Sequence, residues 1–323
     1  MSRFPATPRG DRQPPLTDHT GVNVLAIGDV HFRDTDWVTT PRLNKTLDDL
    51  ARMTGRGALD AIIQVGDQTS IASTAEFNAY LTWRNGIRTL FPGIPVQEVP
   101  GNHDLVGGNP SGTPDVVTTA QWAQIMGRED GAKDMVVDIG DRVRLLLLAP
   151  TADSTGTLST GVGFTAKTRT YLDPADIAWC DARLAEVPGR RCVIFFHAPL
   201  FQTQGPLDGS AFSSYDPAGR WVAHAGADTI AAMIARHDNV AAWVSGHSHS
   251  LVTEVDVVKK VTYGTTTFAA INAASPSSAN PDAGRQNNML ALCLLTIHDD
   301  RIEVRYRDGG AGQWLDPIHT VTL

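Results

Sequence analysis

VAAWVSGHSH, residues 240–249, is an apolar run that ends in glycine and then sets two histidines around one serine. A short run that is apolar throughout suits a strand buried on both faces. The same pattern of apolar run, glycine and polar residue recurs in VNVLAIG (22–28), AIIQVG (61–66) and PVQEVPG (95–101). RVRLLLLA (142–149) and RCVIFFH (191–197) are further runs of this kind. Between them, the spacing of apolar residues predicts helices over 41–54, 74–90, 118–127, 173–186 and 225–237. Asp173 ahead of Pro174 suits an N-cap followed by proline in the first turn. Buried strands separated by helices predict an α/β layered fold.

After residue 250 the texture changes to LVTEVDVV, VTYGTTTFAAINA, MLALCLLTIH and RIEVRYRD, with short turns and little helix. These runs predict a second, more antiparallel sheet packed on the first. Residues 1–20 are polar, with several prolines and arginines and no apolar h-region, and read as a flexible arm. Residues 21–323 read as a single domain, with its motifs at 29–249 and a strand-rich part at 250–323.

With 323 residues, 42% hydrophobic and 19% charged, the composition is that of a soluble globular protein. No window approaches the roughly 20 apolar residues of a membrane span. Cys180, Cys192 and Cys293 are far apart, without CxxC spacing, so a reduced, cytoplasmic setting is expected. The net charge of −8 and the lack of a basic cluster argue against a nucleic-acid polymer as partner. Any anionic substrate would be met locally.

The residues directly after the apolar runs make a distinctive set. They are Asp29 and His31, Asp67, Asn102 with His103 and Asp104, then His197, and finally His247 and His249. Five of the 10 histidines occupy such positions. Carboxyl ends of parallel strands meet at one sheet edge, so donors distant in sequence would share one crevice. Imidazole and carboxylate without thiolate suit Mn, Fe, Zn, Co or Ni. Asp29, His31, Asp67, Asn102, His197, His247 and His249 are too many for one ion with room for a substrate. They suit two ions sharing a bridging carboxylate, a device for in-line displacement at phosphorus. On an extended segment, His247 and His249 would share a face with Cβ atoms about 6–7 Å apart, wide enough to straddle two ions.

Taken singly, each of these residues has an ordinary structural use, as a turn, a cap or a core histidine. Their joint order resembles the calcineurin-like metallophosphoesterase superfamily, whose signature runs DxH, GD, GNH[DE], H, GHxH. Here it reads Asp29-Val30-His31, Gly66-Asp67, Gly101-Asn102-His103-Asp104, His197 and Gly246-His247-Ser248-His249. The resemblance implies a four-layer αββα sandwich of two mixed sheets flanked by helices. It implies that Asp29, His31 and His249 hold one metal, that Asn102, His197 and His247 hold the other, and that Asp67 bridges. The metals would be two divalent ions, Mn or Fe ahead of Zn, Co or Ni. A hydroxide shared by them would attack phosphorus. His103 would touch the phosphate and protonate the leaving oxygen, with Asp104 orienting His103.

Departures narrow the subfamily. GDQTS (66–70) lacks the arginine of the protein Ser/Thr phosphatases, and no tyrosine follows Asp67 as in purple acid phosphatases. Class III cyclic-nucleotide phosphodiesterases are the most similar in pattern, although they read GDLTD and HHPP where this chain has GDQTS and HAPL (197–200). The expected activity is hydrolysis of a small nucleotide-like phosphodiester. The rivals are a phosphomonoesterase for nucleotides or sugar phosphates and a metal-binding but idle interaction module. Long loops are expected at 105–117, 151–170 and 202–219, and substrate contacts from Asn109 in the first and from Tyr215, Arg220 with Trp221, and His224 in the segment SSYDPAGRWVAH (213–224).

Overall fold

A computed structural model describes residues 20–33, 39–53, 59–105, 117–128, 131–150, 156–157, 163–164, 172, 174–200, 227–249, 252, 256–276, 279–280, 285–286 and 290–323. Residues 1–19 of the expected arm, the Asp173 cap and the expected substrate contacts Asn109, Tyr215, Arg220, Trp221 and His224 lie outside the described residues.

In chain order the first elements are β1 (Val22–Ile27), α1 (Thr39–Met53), β2 (Ala61–Val65), α2 (Thr74–Leu90), β3 (Val96–Val99), α3 (Asn102–Leu105) and α4 (Thr119–Ile125). Next come β4 (Met135–Ile139), β5 (Val143–Leu147), β6 (Gly156–Thr157), β7 (Gly163–Phe164), α5 (Pro174–Ala185), β8 (Arg191–Phe195), α6 (Ala227–Ile234) and β9 (Val240–Ser245). The remainder is β10 (Val258–Tyr263), β11 (Thr266–Asn272), β12 (Ala279–Asn280), β13 (Arg285–Gln286), β14 (Ala291–Ile297), β15 (Arg301–Asp308), β16 (Gln313–Trp314) and β17 (His319–Thr322).

Two mixed sheets pack face to face. The first runs β16-β15-β14-β1-β2-β3, with β17 also on β15, and the second runs β10-β11-β9-β8-β5-β4. Pairing is parallel along β1-β2-β3 and along β5-β8-β9-β11. Each sheet therefore gathers its own set of carboxyl ends, where the sequence reading expected a single sheet edge. The strand-rich tail also departs from expectation. Its long strands join the existing sheets: β10 and β11 extend the second sheet, β14 to β17 extend the first, and only the short β12 and β13 pair by themselves among the described residues. Among the described residues of LVTEVDVV only Val258 is in a strand, and Val252 and Asp256 lie in turns.

Burial alternates as the strand period demands. Val22, Val24 and Ala26 of β1 point into the core between the sheets, with Val143 and Leu145 of β5, Val193 of β8 and Val244 of β9. Leu25 and Ile27 point the other way, onto Leu43 and Leu50 of α1 and Phe77 and Tyr80 of α2. On the far side, Leu146, Ile194 and Trp243 pack on Ile177, Cys180 and Leu184 of α5 and on Ile230 and Ile234 of α6. Helices, sheet, sheet and helices make four layers. Because strands such as β1, β5 and β9 are buried on both faces, they read as unbroken apolar runs. β4 was not anticipated: it is a partly exposed edge strand containing Asp138, so its run MVVDI gives no continuous apolar signal.

Candidate metal centre

Parallel pairing of β1 and β2 continues past the ends of both strands. His31 N donates to Asp67 O at 2.9 Å, Phe32 N donates to Gln68 O at 2.9 Å, and Ser70 N donates to Phe32 O at 3.1 Å. In the other sheet Gly246 N donates to His197 O at 2.9 Å. These bonds carry two pairs of motif loops into register. The donors then turn toward one another through unusual backbone: Asp29, His31, Asp67, His247 and His249 all have positive φ, from 37° to 65°. Asp and His tolerate this region better than bulky or β-branched residues, and five such residues together mark a functional site. The GHSH segment is therefore not extended, as the spacing alone suggested. Ser248 N folds back onto Gly246 O at 2.7 Å, and two left-handed residues set the directions of the imidazoles.

The donor atoms fall into two groups. Asp29, His31, Asp67 and His249 offer ligand atoms within 4.8 Å of one another, and Asp67, His197 and His247 do the same. Asp67 is common to both groups, and the two histidines of GHSH divide between them. In the first group His31 Nε2 lies 2.9 Å from His249 Nε2 and 3.4 Å from Asp67 Oδ2. In the second, His197 Nε2 lies 3.3 Å from Asp67 Oδ2 and 3.2 Å from His247 Nδ1. Asn102 Oδ1 joins that group, 3.2 Å from His197 Nε2 and 3.0 Å from His247 Nδ1. Both sheets thus contribute to each group. Gly66 has φ +86°, and a side chain there would overlap the His197 ring, so glycine before Asp67 meets two demands at once.

Supporting groups hold the donors. His197 Nδ1 meets Val65 O at 2.9 Å, and His247 N donates to Asp29 Oδ1 at 2.8 Å. From the end of β11, Asn272 Nδ2 donates to Gly246 O at 2.9 Å and to Ser248 Oγ at 2.7 Å. Ser275 Oγ donates to Asp29 O at 2.8 Å. Neither residue was singled out in the sequence, yet INAAS follows the apolar β11 run just as the motifs follow theirs. Such polar partners fix the orientation of metal-ligating side chains.

The expected catalytic pair is placed differently from its sequence reading. His103 N donates to Asp67 Oδ1 at 3.0 Å, and its ring lies 4.9 Å from the His31 ring. The ring is oriented by the Ser70 carbonyl, 2.7 Å from His103 Nδ1, and not by Asp104. Asp104 is fully buried, and both its oxygens are engaged with backbone. Oδ2 accepts from Gly101 N at 2.8 Å and Gln68 N at 3.1 Å. Oδ1 accepts from Thr69 N at 2.8 Å and Thr69 Oγ1 at 2.9 Å. It clamps the GNHD turn to the loop after β2. The carbonyl of Ser70 could not have been anticipated from side-chain types.

The electrostatics suit cations. Burial raises the Asp29 carboxyl to about 8, and the neighbouring Asp67 adds to the rise. Burial lowers His247 to about 3 and holds His31 well below the usual imidazole range. Burial opposes charge on Asp67 and His197 too, but their mutual attraction wins, holding Asp67 well below the carboxylate range and raising His197 to about 9. Asp29 Oδ2 is buried without a hydrogen-bond partner. Several carboxylate and imidazole donors, one of them orphaned, converge in a water-poor pocket. Divalent ions would satisfy that pocket, since they favour ionised carboxylate and neutral imidazole.

Comparison with known proteins agrees with the donor pattern. A family model described as calcineurin-like phosphoesterase matches residues 22–251. The chain belongs to the calcineurin-like phosphoesterase family. Members typically bind two divalent metals, and the two donor groups sharing Asp67 match that stoichiometry. The structure is similar to that of a dimetal phosphatase from Danio rerio, with TM-score 0.61 and 13% identity over 94% of this chain and 99% of that one. It is also similar to PhoD, with TM-score 0.50 and 10% identity over 94% of this chain and 68% of that one. At these identities the likeness concerns the fold. No match was found among curated protein sequences. No helix among the described residues is long and apolar enough to cross a membrane.

Proposed function

We propose that this calcineurin-like phosphoesterase hydrolyses phosphoric esters at a centre of two divalent cations. The observation that carries the reading is the pair of donor groups joined at Asp67. Asp29, His31 and His249 would hold one ion, Asn102, His197 and His247 the other, and Asp67 both. When bound, two such ions supply Lewis acidity toward phosphoryl oxygens and make water acidic enough to ionise near neutral pH. The chain's residues supply the rest. Left-handed backbone at five donors fixes their approach before any ligand arrives. The hydrogen bond from His103 N to Asp67 Oδ1 ties the loop bearing His103 to the bridging residue. With Nδ1 held by the Ser70 carbonyl, His103 keeps Nε2 for the reacting ester, where it can donate to the phosphoryl group and then protonate the leaving oxygen.

Within this class the substrate is inferred to be a small nucleotide-like phosphodiester, because the GNHD block and its surroundings are most similar to the class III phosphodiesterase pattern. A phosphomonoester is the competing substrate, and the likeness to a dimetal phosphatase favours it. The deciding experiment loads the purified protein with Mn and compares bis-p-nitrophenyl phosphate, p-nitrophenyl phosphate and a cyclic-nucleotide panel. Faster turnover of the diester supports the full reading. A monoester preference removes the diester assignment, and silence on every substrate with metal bound removes the enzyme.

A further inference from the structure

We propose that Asn272 is a positioning residue for the two cations: its side-chain amide holds the turn that divides His247 and His249 between them. The role rests on the two-cation reading above and adds to it a further block of sequence, Asn272-Ala273-Ala274-Ser275, at the end of β11. β11 pairs with β9 in parallel and puts Asn272 opposite Ser245, the residue directly before GHSH. Ala273 N donates to Ser245 O at 2.7 Å, so the pairing continues past the end of β11. Asn272 is fully buried.

Both ends of the amide face groups that admit one orientation. Ala274 N, which can only donate, gives to Oδ1 at 2.8 Å, and Gly246 O, which can only accept, takes from Nδ2 at 2.9 Å. Nδ2 also donates to Ser248 Oγ at 2.7 Å. Gly246 and Ser248 flank His247, and Ser248 precedes His249. The two histidines have φ of 65° and 48°, backbone that residues other than glycine keep only where their surroundings impose it. An extended segment would turn both imidazoles to one face. Asn272 grips the folded turn at two points and so sets two directions.

The oxygen end of the same amide acts toward the other sheet. Through Ala274 N it fixes the tail of β11, where Ala274 has φ 56°. The Ala274 carbonyl fills the space a side chain would need at Gly28, and Ser275 Oγ reaches Asp29 O at 2.8 Å. One amide thus ties GHSH in the second sheet to the DVH loop in the first, and Asp29 and His249 belong to one donor group. Aspartate could not replace it in this role, because a carboxylate would set an acceptor against the Gly246 carbonyl.

The test is calorimetric titration of the metal-free full chain with manganese chloride, followed by electron paramagnetic resonance of the loaded protein. Wild type is compared with Asn272→Ala, Ser275→Ala and Tyr306→Phe. Tyr306 Oη donates to the Asn272 carbonyl at 2.6 Å, so Tyr306→Phe removes a buried bond at the same residue and leaves the amide in place. We expect Asn272→Ala to bind Mn about 10- to 100-fold more weakly. At two equivalents it should show the six-line signal of isolated Mn where wild type shows an exchange-coupled pair. Ser275→Ala should weaken Mn binding about tenfold. Tyr306→Phe should melt at a lower temperature without metal and keep wild-type Mn affinity. Wild-type affinity and spectrum in Asn272→Ala would overturn the role, and so would an equal loss of affinity in Tyr306→Phe. If Asn272→Ala does not fold, Ser275→Ala decides, and unchanged Mn binding there overturns the proposal. Wild type that binds fewer than two Mn removes the two-cation reading and this role with it, whereas two Mn bound equally by wild type and variants removes the role alone.

Discussion

His103 and Asp104 are neighbours with separate tasks, and the difference is set by where each side chain points. His103 reaches the mouth of the centre with Nδ1 pinned on Ser70 O, whereas Asp104 spends both oxygens on the loop that presents Asp67. Replacing His103 with alanine would remove the proposed proton donor and leave the candidate metal donors in place. We expect His103→Ala to retain its metal and lose about 10²- to 10⁴-fold in kcat, measured beside metal content by atomic emission. Near-normal turnover with full metal would take His103 out of the mechanism. The candidate donors that the fold brings together were legible in sequence because each directly follows an apolar run. Asp104 was read as orienting His103 because a carboxylate beside a histidine resembles such a partner, and only coordinates show the backbone N–H groups it accepts from.

At the scale of elements, one buried and one partly buried polar contact tie the layers together. Arg307 of β15 donates through Nε and Nη2 to the two oxygens of Asp49 on α1, at 2.6 and 2.7 Å, and both residues are buried. Arg307→Ala would strand the Asp49 carboxylate among apolar side chains. A loss of about 3–5 kcal/mol is expected from urea denaturation. The double variant Asp49→Leu/Arg307→Met should recover much of that loss; if it does not, lost packing is the cause. Ahead of β4, Asp134 accepts from Ala149 N at 2.8 Å beside the N-terminal turn of α5. Burial raises its carboxyl to about 7 from an ordinary 3.8, with Asp176 adding to the rise. A raised folded pKa means that the protonated form favours folding. This contribution is present in full below about pH 4 and is lost as pH rises through about 7. Asp134→Asn, which mimics the protonated acid, should therefore flatten the stability profile between pH 5 and pH 8 and exceed wild type at pH 8 by about 1–2 kcal/mol. Chemical denaturation at each pH measures this, and parallel profiles would refute it. Neither contact was legible in sequence, since Asp49–Arg307 spans 258 positions and Asp134 lies before an unrecognised edge strand.

For the molecule as a whole, the candidate metal centre lies where the two sheets present their carboxyl ends, so bound ions would brace both sheets at once. Ions that bind only the folded chain stabilise it in proportion to the logarithm of their concentration over Kd, about 2.7 kcal/mol at a hundredfold excess. Chelation with EDTA at pH 7.5 should lower the melting temperature by on the order of 5 °C, and Mn should restore it. A melting temperature indifferent to EDTA in protein shown to contain metal would argue that the centre does not bridge the sheets.

The sequence by itself determined the layered α/β class and most strand positions, and it pointed to the candidate donors that the fold brings together. Strands buried on both faces leave continuous apolar runs, and a polar residue just beyond such a run has few places to go but the crevice. Tertiary structure alone decided that the carboxyl ends belong to two sheets, that the tail divides between them, and that left-handed turns aim the histidines of GHSH. Strand pairing follows from which edges meet when the core closes, and no local pattern in β14 encodes a neighbour more than 200 residues away, as Ile297 finds in Val22. Ring directions depend on backbone torsions that the packed sheets impose, which is why two histidines at one spacing could serve two ions.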